Sequence, residues 1–329
     1  MIISRTPTRI SFLGGGTDYP EYFTKEGGYT LSATIDKFCY ITVQELRDFF
    51  DHKIRISYSR LELTRQVDEI IHPSVRECLR YLGVSHGVEI HCMTDLPART
   101  GLGSSSAFTV GLLNALHAWQ GKFATSQQLA EEAVHVERNL IKERVGLQDQ
   151  YACAYGGFLF ITYTPPGNVN ITSIPLTHER IKALEQRLLL FYTGLQRNAS
   201  DILKEQIDRT TRGEVMTELR ELGSLAPQAV DVICNGRDLS ELGKLLHRGW
   251  MIKRSLSKAV SDDTIDGWYE RARSACAVGG KLLGAGGGGF LLLYADPQHH
   301  DNIRAALSDL QEVPFRFESQ GSTILFSSR

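Results

Sequence analysis

Asp95-Leu-Pro-Ala-Arg-Thr-Gly-Leu-Gly-Ser-Ser-Ser106 is the stretch from which the rest of the chain can be read. A β-rich run, 88–93, precedes it. After it comes 104–119, where Phe108, Val110, Leu112, Leu113, Leu116 and Trp119 put apolar groups on nearly every side. That pattern predicts a helix buried in the middle of a domain, with Gly121 as its stop. Gly101 and Gly103 let the backbone turn without Cβ clashes, and the helix starts at the serines. Several backbone N–H groups and a positive helix end then aim at one point, which suits a phosphate. Serine hydroxyls add hydrogen bonds or a magnesium contact. No Gly-Lys-Ser/Thr follows, so this is not a Walker A loop, and Ser106 stands where a dinucleotide fingerprint needs its third glycine. Taken alone, the stretch also fits a plain Gly/Ser helix cap.

Outward from this loop, 9–13, 29–34, 39–43 and 53–58 read as short strands. Thr125-Ser126-Gln127-Gln128 opens a second helix running to about Arg144. A strand over 156–163 ends at Pro165-Pro166-Gly167. The second half begins with a strand at 187–192 and continues with helices near 200–210, 214–234, 239–257 and 263–278. It closes with strand, glycine turn and strand over 280–294, one more helix, and a last strand at 323–326. Without regular βαβ alternation or internal repeats, the fold class is α+β. A length of 329 residues predicts about two domains, placed at 1–175 and 176–329.

Composition excludes several functions. With 36 Lys+Arg against 38 Asp+Glu and a net charge of -2, a general nucleic-acid or polybasic membrane binder is not expected. No apolar run approaches the ~18 residues of a membrane span. Residues 1–16 lack the apolar stretch of a secretory signal, so a cytoplasmic location is expected. The six cysteines are scattered without a CxxC, which predicts reduced, mostly buried thiols and neither a disulfide framework nor a zinc site. His299-His300 reads as a solvated helix start. Thirty glycines are unusual because they cluster. Gly14-Gly15-Gly16-Thr17-Asp18 follows strand 9–13, and Gly284-Ala285-Gly286 to Gly289 sits between apolar runs.

Glu137 stands out on its own helix. Its neighbours three and four residues away are Ala133, Val134, Leu140 and Ile141, so it projects from the apolar face. A carboxylate there is costly unless it is paired, for example with Arg144, or bound to a cation.

The ordered motifs Pro7-Thr8-Arg9-Ile-Ser-Phe-Leu-Gly14, Pro97 to Ser106 and Lys281-Leu-Leu-Gly-Ala-Gly-Gly-Gly-Gly-Phe290 make the chain resemble the GHMP small-molecule kinases over essentially its whole length. Ser11 to Asp18, Leu31-Ser-Ala-Thr-Ile-Asp36, Tyr192 to Leu203 and Gly280 to Phe290 resemble the heptose-phosphate branch of that family. The resemblance implies a mixed-sheet N-terminal domain, an α/β-plait-like C-terminal domain, and ATP and Mg2+ as cofactors. It implies a small-molecule sugar phosphate as substrate, no nucleic-acid or membrane partner, and leaves a homodimer open. Asp149 matches the catalytic aspartate, accepting the hydroxyl proton or orienting the hydroxyl, and Arg9 the fixed cation beside it. Pro97, Thr100, Gly101, Leu102, Gly103, Ser104, Ser105 and Ser106 match the nucleotide-phosphate loop, and Ser105 with Glu137 the magnesium ligands. Gly15, Gly16, Thr17, Asp18, Arg197, Gly286 and Gly287 match substrate-binding positions, with Arg197 a candidate for a substrate phosphate and Lys204 and Arg254 further candidates. Galactokinases carry Glu and His where this chain has Gly15 and Gly16, which makes room for a bulkier anionic sugar. The rival reading is a non-catalytic sugar-binding or regulatory protein on the same fold, expected to have lost some of Asp149, Glu137, Ser105 and the loop glycines.

Overall fold

A computed structural model describes all residues except Arg99, 196–198 and Arg329, and gives no side-chain placement at 199–201. The first sheet is built on two long antiparallel strands, β1 (Ile2–Leu13) and β2 (Gly28–Glu45). Their inward residues are Ile, Leu, Val and Phe, and β1 is almost wholly buried from Arg5's neighbour Thr6 onward. The sequence predicts two runs where β2 is one strand. Pairing shifts between Pro7↔Phe38 and Thr8↔Ile35, so a bulge absorbs the polar Asp36-Lys37 pair. Pro7 has no N–H to donate, which is compatible with broken pairing at that point.

Strands β3 (Ile54–Ser57), β4 (Leu61–Thr64) and β5 (Val88–Thr94) extend the sheet on one side of β2, in the order β2-β5-β3-β4. Strands β6 (Phe158–Thr164) and β7 (Asn168–Ser173) pair onward from the first part of β2. The second sheet is antiparallel and has the order β11-β8-β10-β9, with β8 (Leu188–Tyr192), β9 (Gly279–Leu282), β10 (Phe290–Tyr294) and β11 (Gln311–Glu312). The last strand, β12 (Thr323–Ser327), returns to pair with β1 through Ile2↔Ser327.

Helix Ser104–Trp119 is buried along nearly its whole length against β1 and β2, as its all-round apolar pattern predicts. Helices Met216–Cys234 and Ser240–Leu256 lie between the two sheets, the first against β2 and the second against β9. Ile10, Phe12, Leu31, Leu225, Leu246 and Leu292 share one apolar cluster there. Thus the end of β1 lies beside β9, where Lys281 Nζ donates to the Ser11 and Phe12 carbonyls, and the loop after β9 meets residues 100 and 101. Cys39, Cys78 and Cys153 are buried, whereas Cys234 and Cys276 are exposed and Cys92 is half-buried; all six are free. Among the described residues no helix is long and apolar enough to cross a membrane.

Candidate active site

Four segments converge on one cavity of about 1150 Å³. They are the turn after β1, the 95–103 loop leading into helix Ser104–Trp119, the first turn of helix Gln148–Tyr155, and the glycine loop between β9 and β10. Its wall includes Arg9, Gly15, Gly16, Asp18, Pro97, Gly101, Gly103, Ser104, Ser105, Asp149 and Gly286. Residues 270 or more positions apart in sequence therefore face one space.

At its centre Arg9 grips Asp149 with two prongs, Nε donating to Oδ1 at 2.7 Å and Nη2 to Oδ2 at 2.6 Å. Nη1 donates to the Gly101 carbonyl at 2.7 Å, fixing the loop to the pair. Arg9 is 3% exposed, so this charge-assisted fork is largely shielded from water. The Asp149 side chain retains 24% exposure, on the cavity side. A Cβ on Gly103 would sit 3.2 Å from Arg9 Cγ and 3.4 Å from Asp149 Oδ2, so a side chain there would crowd the pair.

Gly103 is also the left-handed N-cap of helix Ser104–Trp119, and no side chain caps that helix. Its first-turn N–H groups lack helical acceptors and open where Ser104 and Ser105 line the cavity. An oxyanion is what such an end binds.

Asp18 is buried, with Oδ1 accepting the Gly16 N–H at 2.9 Å and Oδ2 the Gln148 N–H at 3.3 Å. Burial raises its pKa and the nearby Asp149 adds to the rise, against the two backbone N–H groups. Thr17 does not face the cavity. Its hydroxyl bridges the Gly14 and Tyr29 carbonyls and accepts the Tyr29 N–H, so the structure gives it to the turn rather than to a ligand.

Glu137 sits in a wide turn, His135–Leu140, that continues helix Ser126–Val134 with π geometry. The predicted helix to Arg144 ends here, since Ile141 N–H reaches back to Val136 O and Lys142 takes φ 66°. Glu137 is 1% exposed, and burial pushes its carboxyl up to about 7 despite help from Gln150. Oε2 accepts from Ser106 Oγ at 3.1 Å and from Gln150 Nε2, while Oε1 has no hydrogen-bond partner among the described residues. The hydroxyl on Glu137 is thus that of Ser106, whereas Ser105 is exposed on the cavity side. Arg144 is not the partner either; it pairs with Asp208 at 2.9 Å.

Thr100, Leu102, Ser106 and Gly287 lie behind the wall. Thr100 Oγ1 donates to Pro97 O, Leu102 O accepts the Arg9 N–H, and Gly287 N–H donates to Val260 O. Arg254 is held by Asp266, away from the cavity, while Lys204 lines it. Arg197 lies outside the described residues. Lys253 and Lys281 are among the wall residues that sequence reasoning missed. Lys253 occupies an ordinary-looking position near the end of a helix, and Lys281 was quoted in a motif without being given a role. Phe108, His72 and Tyr58 also line the cavity, with His72 stacked on Phe108 at 4.7 Å between ring centroids and edge-on to Tyr58 at 4.8 Å.

Comparison with known proteins agrees with this geometry. A D-glycero-alpha-D-manno-heptose 7-phosphate kinase of Campylobacter jejuni is 27% identical, covering 97% of this chain and 97% of that one. An L-fucokinase/L-fucose-1-P guanylyltransferase of Bacteroides fragilis is 25% identical over 94% of this chain, which spans 36% of that protein. The crystal structure of a D-glycero-D-manno-heptose 1-phosphate kinase from Bacteroides thetaiotaomicron shares the fold, with TM-score 0.81, 22% identity and full coverage of both chains. The GHMP kinases N terminal domain matches residues 69–157 and the GHMP kinases C terminal domain matches residues 228–312, in that order, and the chain belongs to the GHMP kinase family.

Proposed function

We propose that the acceptor of this ATP-dependent sugar kinase is D-glycero-D-manno-heptose 7-phosphate, phosphorylated on its anomeric hydroxyl to the 1,7-bisphosphate. The observation that carries the reading is the Arg9–Asp149 fork set beside an uncapped helix N-terminus in one cavity. A phosphoryl group held by that helix end and its serines lies near a carboxylate that accepts, or orients, the proton of the attacking hydroxyl. Arg9 holds Asp149 in place. Asp18, Gly15 and Gly16 line the cavity and would meet the sugar; the space beside the two glycines is taken up by Gln148 and Gln206, so the room for a longer chain lies elsewhere in the cavity. Arg197 and Lys204 are the proposed contacts for its own phosphate.

The unpartnered, buried Oε1 of Glu137 is what a cation would satisfy. Glu137 with Ser105 and Ser106 would hold magnesium, which when bound neutralises charge on the nucleotide phosphates. On this reading the enzyme works in the cytoplasm on a small anionic sugar, in synthesis of nucleotide-activated heptose for surface polysaccharide. The division at 175/176 is retained as the proposed boundary between its halves, with β12 crossing back over it.

The competing acceptor is a free sugar such as fucose, favoured by the similarity to the Bacteroides fragilis protein. Purified enzyme assayed for ADP release against free and phosphorylated hexoses, fucose and heptose 7-phosphate decides between them. The heptose phosphate is expected to give the highest kcat/KM. Faster turnover of a free hexose or of fucose refutes the assignment, and no ADP release with any sugar would favour a non-catalytic binder.

A further inference from the structure

Beyond the Arg9–Asp149 pair, two buried lysines line the cavity, and burial with the neighbouring Lys253 holds Lys281 well below the usual lysine range. Arg9 and the carboxylates Asp18 and Asp149 line the same cavity. Asp149 is engaged on both oxygens by Arg9, and Asp18 by two backbone N–H groups. Lys253 and Lys281 are only 9% and 6% exposed, and among the described residues neither is within an ion pair. A buried ammonium without a counter-charge is costly.

The two lysines are used differently. Lys281 Nζ, on β9, donates to the carbonyls of Ser11 and Phe12 on β1, at 2.9 and 3.0 Å. Two of its three donors thus tie one sheet to the other. Lys253 Nζ, from helix Ser240–Leu256, donates to the Gly284 carbonyl, its one acceptor among the described residues. Lys253 also lines the cavity, so its other donors are available to a bound group. Burial, and then Arg9, push Lys253 down to about 8, while Asp18 and Asp149 oppose the shift. The ammonium is therefore within electrostatic reach of the reacting carboxylate. Arg9 is less able to serve an incoming anion, because all three of its nitrogens already have acceptors.

We propose that Lys253 is a catalytic residue whose ammonium binds the terminal phosphoryl group during its transfer, with Lys281 as a positioning residue holding the edge of β1. This rests on the kinase reading of the same site. In the step, the bond from the acceptor oxygen to phosphorus forms and the bond from phosphorus to the β,γ-bridging oxygen breaks. The electron pair of the broken bond leaves on ADP, and the hydroxyl proton passes to Asp149. Lys253 gives no proton; it offsets charge on the equatorial oxygens. A phosphate at the far end of the acceptor lies a sugar's length from Asp149 and is not its ligand.

The test uses the full chain and whichever sugar the wild type turns over fastest, so it does not depend on the heptose assignment. Lys253→Met is expected to lower kcat about a hundredfold, the scale of one lost charge-stabilising donor, with KM for the sugar changed less than about threefold. It should also erase the preference for a non-hydrolysable ATP analogue over ADP in equilibrium binding. In the wild type, kcat/KM is expected to fall as pH rises through about 8, where Lys253 would lose its proton. Arg9, Lys281, Asp18 and Asp149 face that ammonium and are retained in Lys253→Arg, so upward movement of the limb in this variant reports Lys253 itself. If Lys253→Met does not fold by circular dichroism, Lys253→Gln, which keeps a donor for Gly284 O, carries the same expectations. An unchanged kcat overturns the proposal, and so does a raised KM for a phosphorylated acceptor with kcat intact, since Lys253 would then hold the acceptor's own phosphate.

Discussion

Gly101→Ala isolates the contact between the two glycine loops on which the site depends. Gly101 takes φ +83°, and an added Cβ would lie 2.5 Å from Leu283 O and 2.8 Å from Leu283 C, both backbone atoms of the loop after β9. Two costs follow. A left-handed alanine costs about 1–2 kcal/mol, and forcing a methyl into packed backbone about 1–3 kcal/mol more. Gly83→Ala supplies the control, because Gly83 takes φ +69° with nothing within 4 Å of the added atom. At on the order of 2 °C per kcal/mol for a chain of this size, Gly83→Ala should lower Tm by roughly 2–4 °C, and Gly101→Ala by roughly 4–10 °C. Activity should separate them more sharply. The Gly101 carbonyl accepts from Arg9 Nη1, so any shift that relieves the clash also moves the grip on Asp149. Well below either Tm, kcat/KM should fall at least about tenfold in Gly101→Ala and stay unchanged in Gly83→Ala. Equal Tm losses with full activity in both would refute the idea that backbone contact between the loops sets the site.

Other substitutions test the remaining parts. Asp149→Ala should cost at least about a hundredfold in kcat, measured as ADP release; near-wild-type turnover would remove it from the chemistry. Arg9→Lys keeps the charge but not the fork, and should lose at least about tenfold in kcat; full activity would mean that a point charge suffices. Thr17→Ala should lower stability by about 1–3 kcal/mol through the unpaired Tyr29 N–H, while Thr17→Ser stays close to wild type in chemical denaturation. A changed sugar KM in Thr17→Ser would instead make it a ligand contact. In Gly146→Ala the added Cβ would sit 1.9 Å from Asp18 Oδ2. Displacing that carboxylate should raise the sugar KM about tenfold, the ~1.4 kcal/mol of one lost hydrogen bond, and an unaltered KM would place the sugar elsewhere.

Much of the fold is legible where side chains carry a period. Helix Ser104–Trp119 matches its predicted range, and helices Met216–Cys234 and Ser240–Leu256 fall within two residues of theirs. The misses are short or edge elements whose stability comes from neighbours. Helices Pro20–Glu26 and Pro73–Tyr81, and strands β4, β7 and β11, are examples. The π turn at Glu137 is invisible to a helical period because it changes the period itself. In the site, loop positions were legible as a group but not one by one. Ser104 and Ser105 face the cavity while Ser106 turns back to Glu137, and three adjacent serines give no cue to which does which. Lys253 could not be found because its role depends on Gly284, 31 residues later and on another element.

The three glycine clusters, separate in sequence, are one piece of construction. A Cβ at Gly284 would meet Gly101 Cα at 2.4 Å, one at Gly289 would meet Thr100 O at 2.3 Å, and one at Gly14 would meet Tyr29 O at 1.8 Å. Each is backbone against backbone, closer than any side chain permits. Where side chains are excluded, position is fixed by backbone hydrogen bonds, such as Arg9 N–H to Leu102 O and Gly287 N–H to Val260 O, and by cations reaching loop carbonyls. Arg9 reaches Gly101 O, Lys253 reaches Gly284 O, and Lys281 reaches Ser11 O and Phe12 O. Arg9 has Asp149 as its counter-charge, whereas Lys253 and Lys281 are anchored on carbonyls alone, which satisfy part of their hydrogen bonding but none of their charge. Lys253, tied to a loop carbonyl and paired with no carboxylate, therefore holds a loop while leaving positive potential facing the cavity. Structural closure and phosphoryl binding are then one requirement, and a substitution that neutralises Lys253 should weaken both. That coupling sets this site apart from a surface patch of lysines, where charge could be removed without moving the backbone.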